Sequence, residues 1–310
     1  MRSKKLPSLP KLQSASLFAV REVRDFVRQR IWQKDSCAEN EAVVSEIGKE
    51  KSNPCRRIDL DAEKLLLAKL DEALATSFAF IAEENGCRKE ENDNLLAVID
   101  ALDGSDLTIR RRDLFGAVSL AWVDLEDGSP LLAIVADLVS HADIIWFWRK
   151  GKGSFLSHRY QPDFQPLCLS LEVRADPFLS AGLVKPFREE ENREKYASII
   201  AQIVEEYPSA RFSKVHAGSP GICRAAMGAI DAVIGLAGAK VYDLYGPALI
   251  LQGSGGTILD PFSGERLKIE IDPGQSLESQ AGLRFPFIAG HPFWAAKLRA
   301  CLNSSPACTQ

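Results

Sequence analysis

Apolar positions along this chain recur in two rhythms, one helical and one strand-like. From Ser16 to Gln33, Leu17, Val20, Val23, Val27 and Ile31 return at three- and four-residue steps with Arg and Asp between them, which predicts an amphipathic helix. The segment opening at Arg57 repeats that spacing. Leu66, Leu70, Ala73 and Leu74 form its buried stripe, Asp59 is expected at its N-cap and Glu63 near its first turn. Two apolar runs without helical period follow. Phe78–Ala82 predicts a short strand running into Glu83-Glu84 and an Asn85-Gly86 turn, and Leu95–Ile99 predicts a buried strand ending at Asp100.

Phe115–Trp122, Leu131–Leu138 and Ile144–Arg149 read as strands separated by turns at Asp127-Gly128 and Lys150–Gly153. Together, Phe115 to Phe155 predict an antiparallel meander. The pattern changes near Leu171. A strand at Ala181–Val184, a helix at Glu189–Tyr207 and a helix opened by Gly218-Ser219-Pro220 are expected, with Ser219 as its N-cap. A buried strand at Ala232–Leu236 follows, then a helix at Leu244–Gly253 with Asp243 at its start and Pro247 in its first turn. The turn and strand at Gly255–Asp260, a strand at Phe287–Gly290 and a helix at Pro292–Cys301 complete the pattern. Lys34–Asn53 is polar and predicts a loop or hairpin, a candidate for a moving loop over a site. The first 13 residues, basic and carrying Pro7 and Pro10, predict a loose leader rather than a secretory signal.

Composition narrows the class. A chain of 310 residues, 46% apolar, is long enough for two domains or one large one. A net charge of −4 gives no broad nucleic-acid footprint. Seven cysteines without a CxxC pair fit reduced thiols better than a disulfide framework or a zinc site. No apolar run reaches the ~18 residues of a membrane span. A cytoplasmic protein with no membrane or nucleic-acid partner is therefore expected.

The densest chemistry is Asp100-Ala101-Leu102-Asp103-Gly104-Ser105-Asp106. A buried strand that stops at two carboxylates is costly unless a cation relieves their repulsion and desolvation. Carboxylate oxygens suit Mg²⁺ or Mn²⁺, and the Gly104 and Ser105 amides could cradle an anion. An ordinary Asx-turn explains the same seven residues equally well, and the spacing does not fit an EF-hand loop. Phe78–Glu84 repeats the logic of a strand ending in acid, and neighbouring strands would bring such ends together. The Arg110-Arg111-Arg112 run reads as a solvated face.

Asp59 to Glu63 as an Asp-x-x-x-Glu helix start, Ala82-Glu83-Glu84, Asp100-Ala101-Leu102-Asp103-Gly104-Ser105, Gly218-Ser219 and Tyr242-Asp243 with Gly255-Gly256 stand in an order that resembles the inositol monophosphatase and fructose-1,6-bisphosphatase superfamily. The likeness spans about residues 15 to 300. Arg57-Ile58-Asp59 and Tyr242 look most like the archaeal-type members that act on both substrates. The resemblance implies an α/β (α+β) fold, a layered α/β/α/β/α sandwich with a largely antiparallel N-terminal sheet and a mixed C-terminal sheet. It also implies an N-terminal metal-binding domain over 14–172 and a C-terminal α/β domain over 173–310.

The implied activity is Mg²⁺-dependent hydrolysis of a small sugar or polyol phosphate, with two or three ions, Mn²⁺ as the other candidate metal, and a homodimer. Glu83, Asp100, the Leu102 carbonyl, Asp103 and Asp243 would hold metal, with Asp100 bridging. Asp59 and Ser105, with Glu83, would serve catalysis, and Gly104, Ser105 and Lys240 would meet the substrate. Glu84 and Asp106 are possible auxiliaries. Ala101 and Asp106-Leu107 depart from the usual motif. So does Leu236, where relatives often carry a glutamate that contacts inositol hydroxyls. The alternatives are a 3′-phosphonucleotide phosphatase of the same fold and a non-catalytic scaffold that retains it.

Overall fold

The two rhythms resolve into helices and strands near the expected positions in a computed structural model that describes residues 6–32, 43–45, 55–104, 116–138, 140, 142–181, 190–213 and 218–304. The first helix, α1 (Leu9–Trp32), begins before Ser16. Residues 9 to 13 therefore belong to a helix and not to a loose leader. Pro10 sits in the first turn, where its missing amide costs nothing, and Leu12 is fully buried, extending the apolar stripe backwards. Ser16 lies inside the helix, not at its start. Its hydroxyl donates to the Leu12 carbonyl at 2.7 Å and accepts from the Trp122 indole N–H at 2.7 Å. Ser16→Ala is expected to destabilise the protein by about 1–3 kcal/mol, because it strands that buried N–H; a urea titration checks this.

A short antiparallel pair, β1 (Val43–Ser45) and β2 (Cys55–Arg56), leads into α2 (Arg57–Leu74). The rest of the expected loop at Lys34–Asn53 lies outside the described residues. The strands β3 (Ala79–Ala82), β4 (Gly86–Arg88), β5 (Leu95–Asp103), β6 (Ala117–Asp124), β7 (Pro130–Asp137), β8 (Ile145–Arg149), β9 (Gly153–His158) and β10 (Gln161–Pro166) form one sheet. Its order is β10-β9-β8-β7-β6-β5-β3-β4. Only β3 and β5 run parallel, and the meander from β5 to β10 is antiparallel throughout. The sequence pattern misses β10. It is a largely exposed edge strand with Pro162 and Pro166, so no core-facing alternation marks it.

The second sheet follows β11 (Phe178–Ala181), α3 (Glu190–Glu206), β12 (Arg211–Ser213), α4 (Ser219–Ala226), β13 (Ala232–Lys240), α5 (Val241–Gly253), β14 (Thr257–Leu259), α6 (Leu277–Gly282), β15 (Arg284–Gly290) and α7 (Pro292–Asn303). Its strand order is β12-β11-β13-β15-β14, parallel on one side of β13 and antiparallel on the other. The strand expected at Ala181–Val184 is seated earlier, at Phe178, and residues 182–184 lie outside the described residues.

Side-chain alternation builds five layers. Leu95, Ala97 and Ile99 of β5 face α1 and α2, with Trp122 beside them. Leu96 and Val98 face the other way, toward Ile222 of α4 and Leu244 of α5, which also meet Val233 and Phe287 of the second sheet. On that sheet's outer face, Ile234, Leu236 and Ile288 pack against Tyr196 of α3 and Trp294 of α7. The helices α4 and α5 thus fill the space between the sheets, and their N-termini point at the ends of β3 and β5. Among the described residues, no helix is long and apolar enough to cross a membrane.

Candidate metal centre

The parallel pairing of β3 with β5 places the first two acids. Ala82 is opposite Ile99, so Glu83 and Asp100 follow that pair side by side. The strand β5 does not stop at Asp100. It runs on to Asp103 through an irregularity between Asp100 and Asp103, where Asp100 faces Ser119 and Asp103 faces Ala117. Asp100 is buried. Its Oδ1 accepts from the Leu102 amide at 3.0 Å, and its Oδ2, also buried, has no hydrogen-bond donor among the described residues. Asp243 comes from the first turn of α5, and ligand oxygens of Glu83, Asp100 and Asp243 all lie within 4.8 Å of one another.

Asp59 and Asp243 are not N-caps, as the sequence pattern suggests, but the third residues of their helices. Asp59 Oδ2 accepts from the Arg56 amide and Asp243 Oδ2 from the Lys240 amide, each at 3.1 Å. The helices simply begin at Arg57 and Val241, a few residues before the acids, and each carboxylate reaches back over its first turn. Ser219 is likewise not the cap of α4, which is Gly218. Its amide donates to Asp103 Oδ2 at 2.5 Å and its hydroxyl to the Asp243 carbonyl at 3.0 Å. A strand carboxylate from the first sheet therefore caps a helix that lies between the sheets.

Burial and the neighbouring acids shift these carboxyls upward. Asp100 is pushed well above its ordinary range by burial and by Glu83, Asp103 and Asp243 around it. Asp243 is raised by burial, Asp103 and Glu83. Asp103 is raised by burial to about 6, although its bonds to Ser219 pull the other way. Each acid holds its proton more tightly folded than unfolded, so folding takes up protons. The corresponding stability is full below about pH 4 and is lost as pH rises through about 6 and above. Metal-stripped protein is therefore expected to melt at a higher temperature near pH 6 than at pH 8, and Mg²⁺ added at pH 8 should recover the difference; thermal scans with and without chelator check both.

Leu102 is buried beside the cluster, and Gly104 closes the strand with φ of 85°. Lys240 Nζ stands 5.5 Å from the Tyr242 ring centroid, and the buried Tyr242 hydroxyl is driven up first by desolvation and then by Glu83, Asp243, Asp100 and Glu84. Glu84 follows Glu83 in the turn between β3 and β4. Ser105 and Asp106, like Arg110–Arg112, lie outside the described residues. Leu236 is buried on the outer face of β13, among Leu179, Tyr196 and Ile199.

Two residues of this site stand in the sequence only as members of family-like motifs, with no role given to them there. Gly218 is one: a Cβ there would stand 2.6 Å from Asp103 Oδ2. Glu63 is the other. It is fully buried and accepts from the amides of Glu84 at 2.9 Å and Asn85 at 2.5 Å. Burial raises its carboxyl to about 7. Its spacing of four from Asp59, which puts both acids on one helix face, is the signal that could have pointed to such a role.

The model of the Inositol monophosphatase family matches residues 12–283. No curated protein sequence matches the chain. Among solved structures, the extragenic suppressor protein SuhB of Bartonella henselae has a TM-score of 0.70 at 16% identity, covering 94% of this chain and 98% of its own. SuhB of Mycobacterium tuberculosis has a TM-score of 0.66 at 20% identity, covering 98% and 100%. Inositol monophosphatase-II of Staphylococcus aureus MSSA476 has a TM-score of 0.64 at 17% identity, covering 96% and 97%. At these identities the structural likeness speaks for the fold. The family match over most of the length settles membership: the chain belongs to the inositol monophosphatase family.

Proposed function

We propose that this protein is a Mg²⁺-dependent phosphomonoesterase acting on a small sugar or polyol phosphate. The observation that supports it most is the convergence of Glu83, Asp100 and Asp243 within 4.8 Å, together with a buried Asp100 oxygen that no donor among the described residues satisfies. An all-oxygen, anionic donor set of this kind fits a hard divalent cation, Mg²⁺ or Mn²⁺. Glu83, Asp100 and Asp243 would hold it, with the Leu102 carbonyl and Asp103 completing the set for a second ion. Bound there, such ions supply Lewis acidity to the phosphoryl group and its attacking water.

The chain's own groups do the rest. Asp59, steadied by the Arg56 amide, orients the hydroxyl of Ser105 toward the attacking water. The Gly104 and Ser105 amides hold the phosphate. Lys240, at the start of α5, meets the substrate's anionic side, and Glu84 is an auxiliary acid. Phosphoryl transfer asks little more of a protein than such positioning and charge neutralisation.

Leu236 packs into the outer core, so it offers nothing to inositol hydroxyls and does not by itself choose the substrate. The archaeal-type likeness at Arg57–Asp59 and Tyr242 keeps fructose bisphosphate within the proposal, as it does a homodimer. The test is phosphate release with Mg²⁺ from inositol-1-phosphate, fructose-1,6-bisphosphate and adenosine-3′,5′-bisphosphate, with Asp243→Asn as the control. Turnover of either of the first two, lost in the variant and after chelation, is the expected result. Turnover of the third alone would make it a nucleotide phosphatase. No turnover and no metal binding would leave a scaffold.

A further inference from the structure

The turn that carries Glu83 is short and held from outside. β3 and β4 pair with Ala82 opposite Gly86, which leaves only residues 83–85 to cross between the strands. Gly86 takes φ of 74°, as three-residue hairpins of this kind require. Asn85 and Gly86 of this turn are exposed, while Glu83 and Glu84 are half-buried. A constraint on the turn from outside it comes from α2. Glu63 Oε2 accepts from the Glu84 amide at 2.9 Å, and Glu63 Oε1 accepts from the Asn85 amide at 2.5 Å and the Asn85 side-chain amide at 2.7 Å. Three donors from two consecutive residues thus converge on one carboxylate.

Burying a carboxylate is expensive, and α2 needs none at this position, since Leu66 and Leu70 already supply its core contacts. The arrangement is specific to a carboxylate. It offers two acceptor oxygens and no donor, whereas a carboxamide must turn its NH₂ toward at least one of the three N–H groups. We infer that Glu63 is a positioning residue for the metal centre: its carboxylate ties the Glu83–Asn85 turn to α2 and so sets where Glu83 stands relative to Asp100 and Asp243. The inference rests on the metal reading of that cluster. Because Asp59 lies one helical turn before Glu63, the same stretch of α2 then serves the site twice, once by facing it and once by holding another residue in place.

The experiment is Mn²⁺ binding to the metal-stripped full chain, read by electron paramagnetic resonance, for wild type, Glu63→Gln, Asn85→Ala and Leu70→Ala. Glu63→Gln is expected to weaken Mn²⁺ binding about 10-fold or more, the usual penalty for losing a group that orients a metal ligand. Asn85→Ala, which removes one of three donors, should weaken it about threefold in the same direction, and serves if Glu63→Gln fails to fold. Leu70→Ala lowers the melting temperature from the same helix without touching the turn, and should leave the affinity within about twofold of wild type. Wild-type affinity in both Glu63→Gln and Asn85→Ala overturns the inference. So does equal weakening in Glu63→Gln and Leu70→Ala, which would mark general loosening of α2. A wild type that binds no Mn²⁺ overturns the metal reading and this inference together, and is told apart by that trace alone.

Discussion

Asp100→Asn is expected to lower phosphate release by about a thousand-fold or more while raising the melting temperature of the metal-free protein. The two effects have one cause. Asp100 is buried beside Glu83, Asp103 and Asp243, and both burial and these neighbours push its carboxyl well up. Asparagine keeps the shape and still accepts from the Leu102 amide, but removes a charge that the fold pays to hold there. Without metal at pH 8, relief of that repulsion should stabilise the variant by about 1–3 kcal/mol. If Asp100 holds Mg²⁺ as proposed, the variant would lack its central anionic ligand, and three orders of magnitude correspond to about 4 kcal/mol of lost transition-state stabilisation. Thermal scans in chelator and a phosphate-release assay read the two halves. A variant that is both inactive and less stable in chelator would mean that the charge is compensated in the apo protein.

Gly218→Ala is expected to cost about 3–5 kcal/mol of stability and about 100-fold in activity. Gly218 has φ of 99°, where an L side chain is strained by about 1–3 kcal/mol. The added Cβ would meet Asp103 Oδ2 at 2.6 Å and Oδ1 at 3.0 Å. The carboxylate must then move, and the bond from the Ser219 amide, a charge-assisted one, is stretched or lost at a further ~1.5–3 kcal/mol. The Ser219 hydroxyl bonds the Asp243 carbonyl, so a shift at the start of α4 reaches α5 as well. Denaturant titration and kinetics of the same preparation separate the stability loss from the activity loss. A variant as stable as wild type would show that Asp103 has room to swing away.

The acids of the site were legible because strand ends are. Apolar runs stopping at Glu83 and at Asp100 predict strands that deliver carboxylates to one edge, and the register of Ala82 with Ile99 does bring them together. Asp59 and Asp243 were legible as acids at helix starts, though not as third residues, because Arg57-Ile58 and Val241-Tyr242 carry no stop signal before them. The meander was legible from period two, and β10 was not, since an edge strand need not alternate.

What the sequence by itself determined is the long helices and the core strands, their order and the carboxylates at their ends, because these follow from local periodicity and from the residue types at element ends. What only the tertiary structure decided is which groups serve one another across the chain. Glu63 was visible in the sequence as the end of an Asp-x-x-x-Glu helix start, but what it holds appeared only once α2 packed where its carboxylate meets the Glu84 and Asn85 amides. Gly218 read as part of a helix start, and why it must be glycine appeared only when Asp103 stood against it. Leu236 occupied a place where a polar contact was expected, yet its strand position turned it into the outer core. Hydrogen bonds and contacts between residues 21 or 116 positions apart leave no trace in local pattern, since they exist only once the sheets and helices have packed.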